Sequence, residues 1–66
     1  MATKASPEKY LAECELSDLF HGVTSEEGLP LLADVVGEEA LGFGFSLSYS
    51  ETLAYLTEKY AAFKAQ

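Results

Sequence analysis

Residues 31–47, LLADVVGEEALGFGFSL, decide the fold class of this chain. The second half of the stretch alternates, with Leu41, Phe43, Phe45 and Leu47 separated by glycine or serine. A period of two is typical of a strand with one apolar face and one bare face, so we predict an extended segment over 41–47. A strand must pair its backbone N–H and C=O groups. The first question is therefore what this strand pairs with.

The first half of the stretch supports two structures. We predict a short helix over 30–36 that ends at Gly37, because a longer helix would bring Glu39 into its buried face. The alternative is a β-hairpin, 31–36/41–47, flanked by N- and C-terminal helices, which would make the protein α+β. The residues of the helix's expected buried face are Leu31, Leu32, Val35 and Val36.

The N-terminal third contains a helix-start signal. Ser6 precedes Pro7 and an acidic residue, which indicates an N-cap followed by a first helical turn. We predict a helix over 7–16 and a break near Ser17, since the apolar residues on either side of Ser17 fall on opposite faces of a continuous helix. A short turn over 18–21 should follow and end at Gly22, in the left-handed conformation.

The C-terminal segment has the strongest helical pattern, and we predict a helix over 50–64. Its apolar stripe follows steps of four and three residues, at Tyr49, Leu53, Leu56, Tyr60 and Phe63. The predicted fold is therefore mostly α, with three to four short helices and one extended segment. The alternative remains the α+β arrangement with a hairpin.

The length of 66 residues permits one small domain, which we place at 6–66, with residues 1–5 as a disordered N-terminus. Such a chain is marginally stable unless a disulfide, a metal or another protein assists it. Cys14 is the only cysteine, so an internal disulfide is excluded, and we expect this side chain to be buried and reduced. The chain starts at Met1 without a leader, and no apolar run approaches membrane-spanning length, so a cytoplasmic location is expected.

The charge distribution restricts the choice of partner. The formal net charge is −7, and no lysine or arginine occurs between Tyr10 and Glu58. Binding to nucleic acid or to an anionic membrane depends on Lys and Arg, so neither is expected as a direct ligand. A basic protein surface is the natural complement.

No motif for catalysis, a cofactor or a metal is found. The GFGF sequence at 42–45 lacks the third glycine of a dinucleotide-binding loop and the lysine of a P-loop. Its glycines are instead expected to allow a close approach to the bare strand face. His21 is the only histidine, and the expected break in the helix separates it from Cys14. We therefore expect a protein that is not an enzyme and has no cofactor.

Two sets of candidate binding residues follow. The first combines carboxylates with one exposed aromatic anchor for a basic partner: Glu26, Glu27, Asp34, Glu38, Glu39 and Tyr55. The second would pair the extended segment with its copy across a two-fold axis in a homodimer: Phe43, Phe45 and Leu47.

The sequence thus suggests a small acidic binding protein that docks on a basic partner protein and modulates it. The sharpest form of this hypothesis is a virus-type inhibitor of a nucleic-acid-binding enzyme, acting in a host cell. The alternative is a non-catalytic accessory subunit that associates through segment 40–50 and the C-terminal helix. The sequence leaves open whether strand 41–47 pairs within the chain, in a homodimer or with a target. It also leaves open whether the acidic surface binds a partner or only aids solubility.

Overall fold

The computed structural model describes residues 2–65 and is mostly helical, as predicted. Within these residues four α-helices surround a small core, and one short parallel sheet joins the two halves of the chain. A 3-10 turn, Glu26–Gly28, precedes the third helix. The elements in chain order are β1 (Thr3–Lys4), α1 (Pro7–Tyr10), α2 (Leu16–Leu19), α3 (Leu29–Gly42), β2 (Phe45–Ser46) and α4 (Tyr49–Lys64).

Helix α3 is twice as long as the predicted helix over 30–36, and it passes through Gly37 without a break. Both the predicted stop at Gly37 and the alternative hairpin are therefore wrong. Glu39 does not prevent the longer helix, because it lies about 100° around the axis from Ala40 and remains exposed. The buried face follows steps of four, three and four residues, at Leu29, Ala33, Val36 and Ala40.

The strand is correspondingly shorter than the alternating pattern predicts. Leu41 and Gly42 belong to α3, and only Phe45–Ser46 is extended with strand pairing. Gly44 ends the helix in the left-handed region, with a φ of +88°, while its N–H donates to the Leu41 carbonyl at 3.0 Å. A Cβ on Gly44 would meet no atom within 4 Å, so conformation, and not the expected close approach, requires glycine here.

The partner of β2 is the N-terminal segment of the same chain. The two strands run parallel, with Thr3 opposite Phe45. The Thr3 N–H donates to the Gly44 carbonyl at 2.8 Å, and the Ala5 N–H donates to the Ser46 carbonyl at 3.0 Å. Pairing within the chain thus occupies residues 3–5, which the sequence analysis places in a disordered end.

Helix α1 ends much earlier than the predicted helix over 7–16. The predicted N-cap is present, since Ser6 Oγ accepts from the Lys9 N–H at 3.3 Å. The chain then turns after Tyr10 and starts α2 at Leu16, so the break lies before Ser17 and the predicted turn over 18–21 starts too late.

The early break has a packing reason. Leu11 and Phe20 are both buried in the core, yet positions nine residues apart lie about 180° apart on one straight helix. Splitting the segment into two short helices lets both side chains point inward. Gly22 then adopts a φ of +87°, which confirms the predicted left-handed end of this segment.

Helix α4 packs against each of the other helices and provides the centre of the core. Its predicted range of 50–64 is confirmed within one residue, and Ser48 Oγ caps it by accepting from the Glu51 N–H at 3.5 Å. In its apolar stripe Leu56 and Tyr60 are buried, Leu53 and Phe63 are half-buried, and Tyr49 is exposed. The ring of Phe20 meets Tyr60 edge to face at a centroid distance of 5.1 Å, which links α2 to α4.

Replacing Gly37 by alanine should stabilise the protein. An added Cβ would meet no atom within 4 Å, and alanine removes the entropic cost of glycine inside a helix. We expect the free energy of unfolding to rise by about 0.5–1 kcal/mol, measured by urea denaturation. Gly44→Ala is the matched control and should lower it by about 1–2 kcal/mol, because its φ is +88°. A destabilised Gly37→Ala variant would contradict the continuous helix.

Candidate partner-binding surfaces

Large apolar side chains are exposed in one part of the described chain. All of them lie between positions 31 and 49, within the stretch that has no basic residue. The exposed fractions are 70% for Leu31, 45% for Val35, 57% for Leu41, 74% for Phe43, 39% for Phe45 and 48% for Tyr49. Single exposed apolar residues are common, whereas exposed apolar residues that adjoin one another are typical of an interaction surface, so their arrangement in space decides the interpretation.

The exposure of Leu31 and Val35 corrects the predicted buried face of α3. Of the four residues expected there, only Val36 is buried, and Leu32 is half-buried. Leu31 and Val35 lie one helical turn apart and point away from α4. They form an unpartnered apolar strip on the outer side of α3.

A groove runs along this strip, between α3 and the segment that contains α2 and the loop after it. It consists of two cavities of about 260 and 360 Å³, both of which are lined by His21, Leu32 and Val35. Leu31 belongs to the first cavity, and Leu19 belongs to the second. We call this feature the α2–α3 groove.

A smaller groove lies on the other side of α3, and we call it the α3–α4 groove. Its cavity of about 200 Å³ is lined by Leu41 and Tyr49, together with the carboxylates Asp34 and Glu38. A third cavity, of about 380 Å³, adjoins Tyr10 and Phe45, whose ring centroids are 6.0 Å apart. The exposed apolar residues are therefore distributed around α3 and β2.

The carboxylates predicted to bind a partner flank α3 on both sides instead of forming one cluster. Asp34 and Glu38 line the α3–α4 groove, whereas Glu39 lines the α2–α3 groove together with Asp18. The predicted pair at 26–27 lies in the 3-10 turn before α3 and is exposed. A partner that contacts α3 would thus meet negative charge from either side.

Tyr55 does not have the surroundings of an exposed anchor. It is half-buried against the core, and Lys59 Nζ lies 5.6 Å above its ring. It lines neither groove. Binding of a partner by Tyr55 stays a prediction, but its expected exposure is wrong.

The residues predicted for self-association do not share one strand face. Phe43 projects from the turn after α3 and is largely exposed, whereas Phe45 contacts Tyr10. Leu47 is half-buried and packs against the core of its own chain. A homodimer through these three residues stays a prediction, and Phe43 is the most accessible of them.

Cys14 is exposed instead of buried, and it lines the α2–α3 groove together with His21. Throughout residues 2–65, no group of three His, Cys, Asp or Glu side chains could hold a metal ion. No helix in the same range is long and apolar enough to cross a membrane.

The α2–α3 groove is the feature that sequence reasoning missed. The sequence contains a signal for it, because residues 29, 33, 36 and 40 follow helical spacing and include two alanines. Accepting that pattern would have placed Leu31 and Val35 outside the core. A predicted helix that ends at Gly37 does not reveal this stripe, because it leaves out Ala40.

Comparison with protein-family models, with curated proteins and with solved structures found no significant match. The candidate surfaces therefore depend on their own geometry and chemistry.

The pKa of Tyr10 in α1 depends in part on a charge from α3. Partial burial raises the pKa of its phenol, and the negative charges of Glu39 and of Cys14 raise the pKa further. The folded state consequently favours the neutral phenol. This contribution to the free energy of unfolding is fully present below the unfolded pKa of about 10, and it is lost as the pH rises through the higher folded pKa.

Replacing Glu39 by glutamine should lower the pKa of Tyr10 toward its ordinary value, because one neighbouring negative charge is removed. The measurement is an NMR titration of the tyrosine ring carbons, with Tyr10→Phe used to assign the signal. Glu38→Gln changes the adjacent position without removing a charge that acts on Tyr10, so it should leave the titration unchanged. Equal effects of both variants would show that Glu39 is not the closer carboxylate.

Proposed function

We propose that this protein is a small acidic binding protein that docks on a basic surface of another protein and modulates it. One observation carries the proposal. The exposed large apolar side chains of the described residues all lie at 31–49, a stretch that contains three carboxylates and no basic residue. Apolar contact residues with a charged rim of one sign are typical of a recognition surface for an oppositely charged partner.

The positions of the lysines reinforce this polarity. Lys59 Nζ lies over the ring of Tyr55, and Lys64 Nζ lies 5.5 Å above the ring of Tyr60, so both belong to α4. Lys4 and Lys9 lie in β1 and α1. A basic partner that approaches α3 would therefore meet no cation from the lining of either groove.

The sharpest form of the proposal is inhibition of a nucleic-acid-binding enzyme in the cytoplasm of a host cell. Such enzymes present Lys and Arg for phosphate contacts. An acidic surface that is held on a rigid helix can bind the same Lys and Arg residues, because carboxylates and phosphates are both attracted to their positive charge. Competition between this protein and nucleic acid would be the functional consequence.

Neutralising the five acids at 26, 27, 34, 38 and 39 should abolish partner capture. The variant has Gln or Asn at these positions, and its formal net charge changes from −7 to −2. Proteins retained from a native lysate by wild-type protein are identified by mass spectrometry at about 50 and 500 mM salt. We expect basic proteins that are lost with the variant and at high salt, since exposed charges are screened within about 10 Å at 0.1 M salt.

The matched control neutralises five exposed acids elsewhere and reaches the same net charge: Glu8, Glu13, Glu15, Glu51 and Glu58. Circular dichroism checks that both variants remain folded. If the control loses the same proteins as the test variant, net charge and not the α3 surface is responsible. That result, or capture that does not change with salt, would contradict the proposal.

A second candidate function is that of an accessory subunit, which associates through segment 40–50. Leu41, Phe43, Phe45 and Tyr49 are all exposed in this segment, which carries no charge. An apolar contact of this kind would depend little on salt. Association with a second copy of the chain, as in the predicted homodimer, is one form of it.

Phe43→Ser should shift the protein toward monomer if segment 40–50 mediates self-association. Phe43 is the most exposed of the large apolar residues, so the change removes contact area without opening the core. Sedimentation equilibrium over a range of protein concentrations measures the effect. Leu31→Ser is the control, since it removes a similarly exposed apolar residue from the outer side of α3. A wild-type protein that stays monomeric at high concentration would exclude the homodimer.

A further inference from the structure

We propose that the α2–α3 groove is the binding site for an amphipathic basic helix of the partner protein. The inference rests on the proposed function and deepens it, because it states which surface is used and what chemistry occupies it. The occupant presents apolar side chains to the groove and Lys or Arg side chains to its acidic edges.

The interior of the groove is suited to apolar side chains. Leu31, Leu32 and Val35 line it from α3, and Leu19 lines it from α2. Leu31 is 70% exposed and Val35 is 45% exposed, so a ligand there would remove considerable apolar area from water. The two adjoining cavities, of about 260 and 360 Å³, can each accept a side chain from the same ligand.

The carboxylates of the groove favour a ligand with positively charged side chains. Asp18 contributes a carboxylate from α2, and Glu39 contributes one from α3. No lysine lines either cavity, and His21 is the one basic side chain in the described lining. A ligand with Lys or Arg on either side of an apolar strip would complement both features at once.

The walls favour a helical ligand over an extended one. One wall consists of side chains from α3, whose backbone groups are engaged in helical hydrogen bonds, and the other consists of α2 and the loop at 21–25. The α3 wall offers no ladder of free N–H and C=O groups with which a strand could pair. A helix satisfies its own backbone groups and presents apolar residues three and four positions apart, which matches the spacing of Leu31 and Val35.

The α3–α4 groove meets these requirements less well. It is a single cavity and a smaller one, at about 200 Å³, so it has room for fewer ligand side chains, although Asp34 and Glu38 give it two carboxylates as well. The space available to apolar side chains, and not the charge, distinguishes the two grooves. The two sides of α3 therefore provide an internal comparison within one helix.

A designed peptide of roughly 18 residues, with leucine at helical spacing and lysine elsewhere, is the probe. Amide chemical shifts of the labelled protein are followed as the peptide is added. We expect saturable shifts in residues 21–25 and 31–36. A peptide with the same composition in scrambled order should bind much more weakly, and a peptide with glutamate in place of lysine should not bind.

Leu31→Ser and Leu41→Ser form the matched pair of variants. Both replace an exposed leucine of α3 by serine, but Leu31 lines the α2–α3 groove and Leu41 lines the α3–α4 groove. We expect Leu31→Ser to weaken the binding of the amphipathic peptide about tenfold or more, and Leu41→Ser to leave it nearly unchanged. Thermal unfolding curves confirm that both variants are folded.

The outcomes separate this inference from the proposed function. Shifts centred on Leu41, Phe43 and Tyr49, or equal binding by the two leucine variants, would overturn the groove as the site. Shifts at the groove that depend on protein concentration without peptide would assign it to a second copy and also overturn the inference. If Leu31→Ser still captures basic proteins that the five-acid variant loses, the groove is wrong and the proposed function stands.

Discussion

The rest of the structure depends on the burial of one face of α3, on which Ala33 and Ala40 lie. Both alanines are buried, together with Leu29 and Val36 on the same face and with Leu56 on α4. The face is narrow, so burying it determines the rotation of α3 about its own axis. Once that rotation is set, every other residue of α3 has a defined direction, including the carboxylates on its two flanks.

The short chain explains why the outer side of α3 remains exposed. Helix α4 contacts α1, α2 and α3, and 66 residues provide no second layer on the far side of α3. Leu31 and Val35 consequently remain in water, although a larger domain would cover residues of this type. Helix α4 packs against the other helices, whereas α3 is packed on one side only. The outer side of α3 is therefore available to a partner.

Local signals in the sequence predict the ends of elements more reliably than their lengths. Ser6 caps the helix that the sequence predicts it to cap, and Gly22 adopts the expected left-handed conformation. Such local signals do not predict the length of α3, because burial of Ala40 offsets the cost of Gly37 inside a helix. That compensation is a tertiary effect and depends on a partner face that only the folded chain supplies.

The sequence likewise predicts only part of the candidate site. The sequence shows that the middle of the chain is acidic and lacks bases, and this distribution remains the basis of the proposed function. It does not show that Glu39 and Asp18 line the same groove, because their positions depend on the rotation of α3 and on the early break before α2. The alternating pattern at 41–50 misleads for a related reason. Its first two residues complete a helix, and Gly44 then redirects the chain into a strand of two residues.

The parallel pairing of Thr3 with Phe45 has a consequence for the order of folding. These residues are 42 positions apart, so the hydrogen bonds between β1 and β2 close a loop that includes most of the protein. Only residues 43–48 connect α3 to α4, so the first contacts between these helices carry a smaller loop-closure cost. We therefore expect the two-residue sheet to form last, after the helices have assembled.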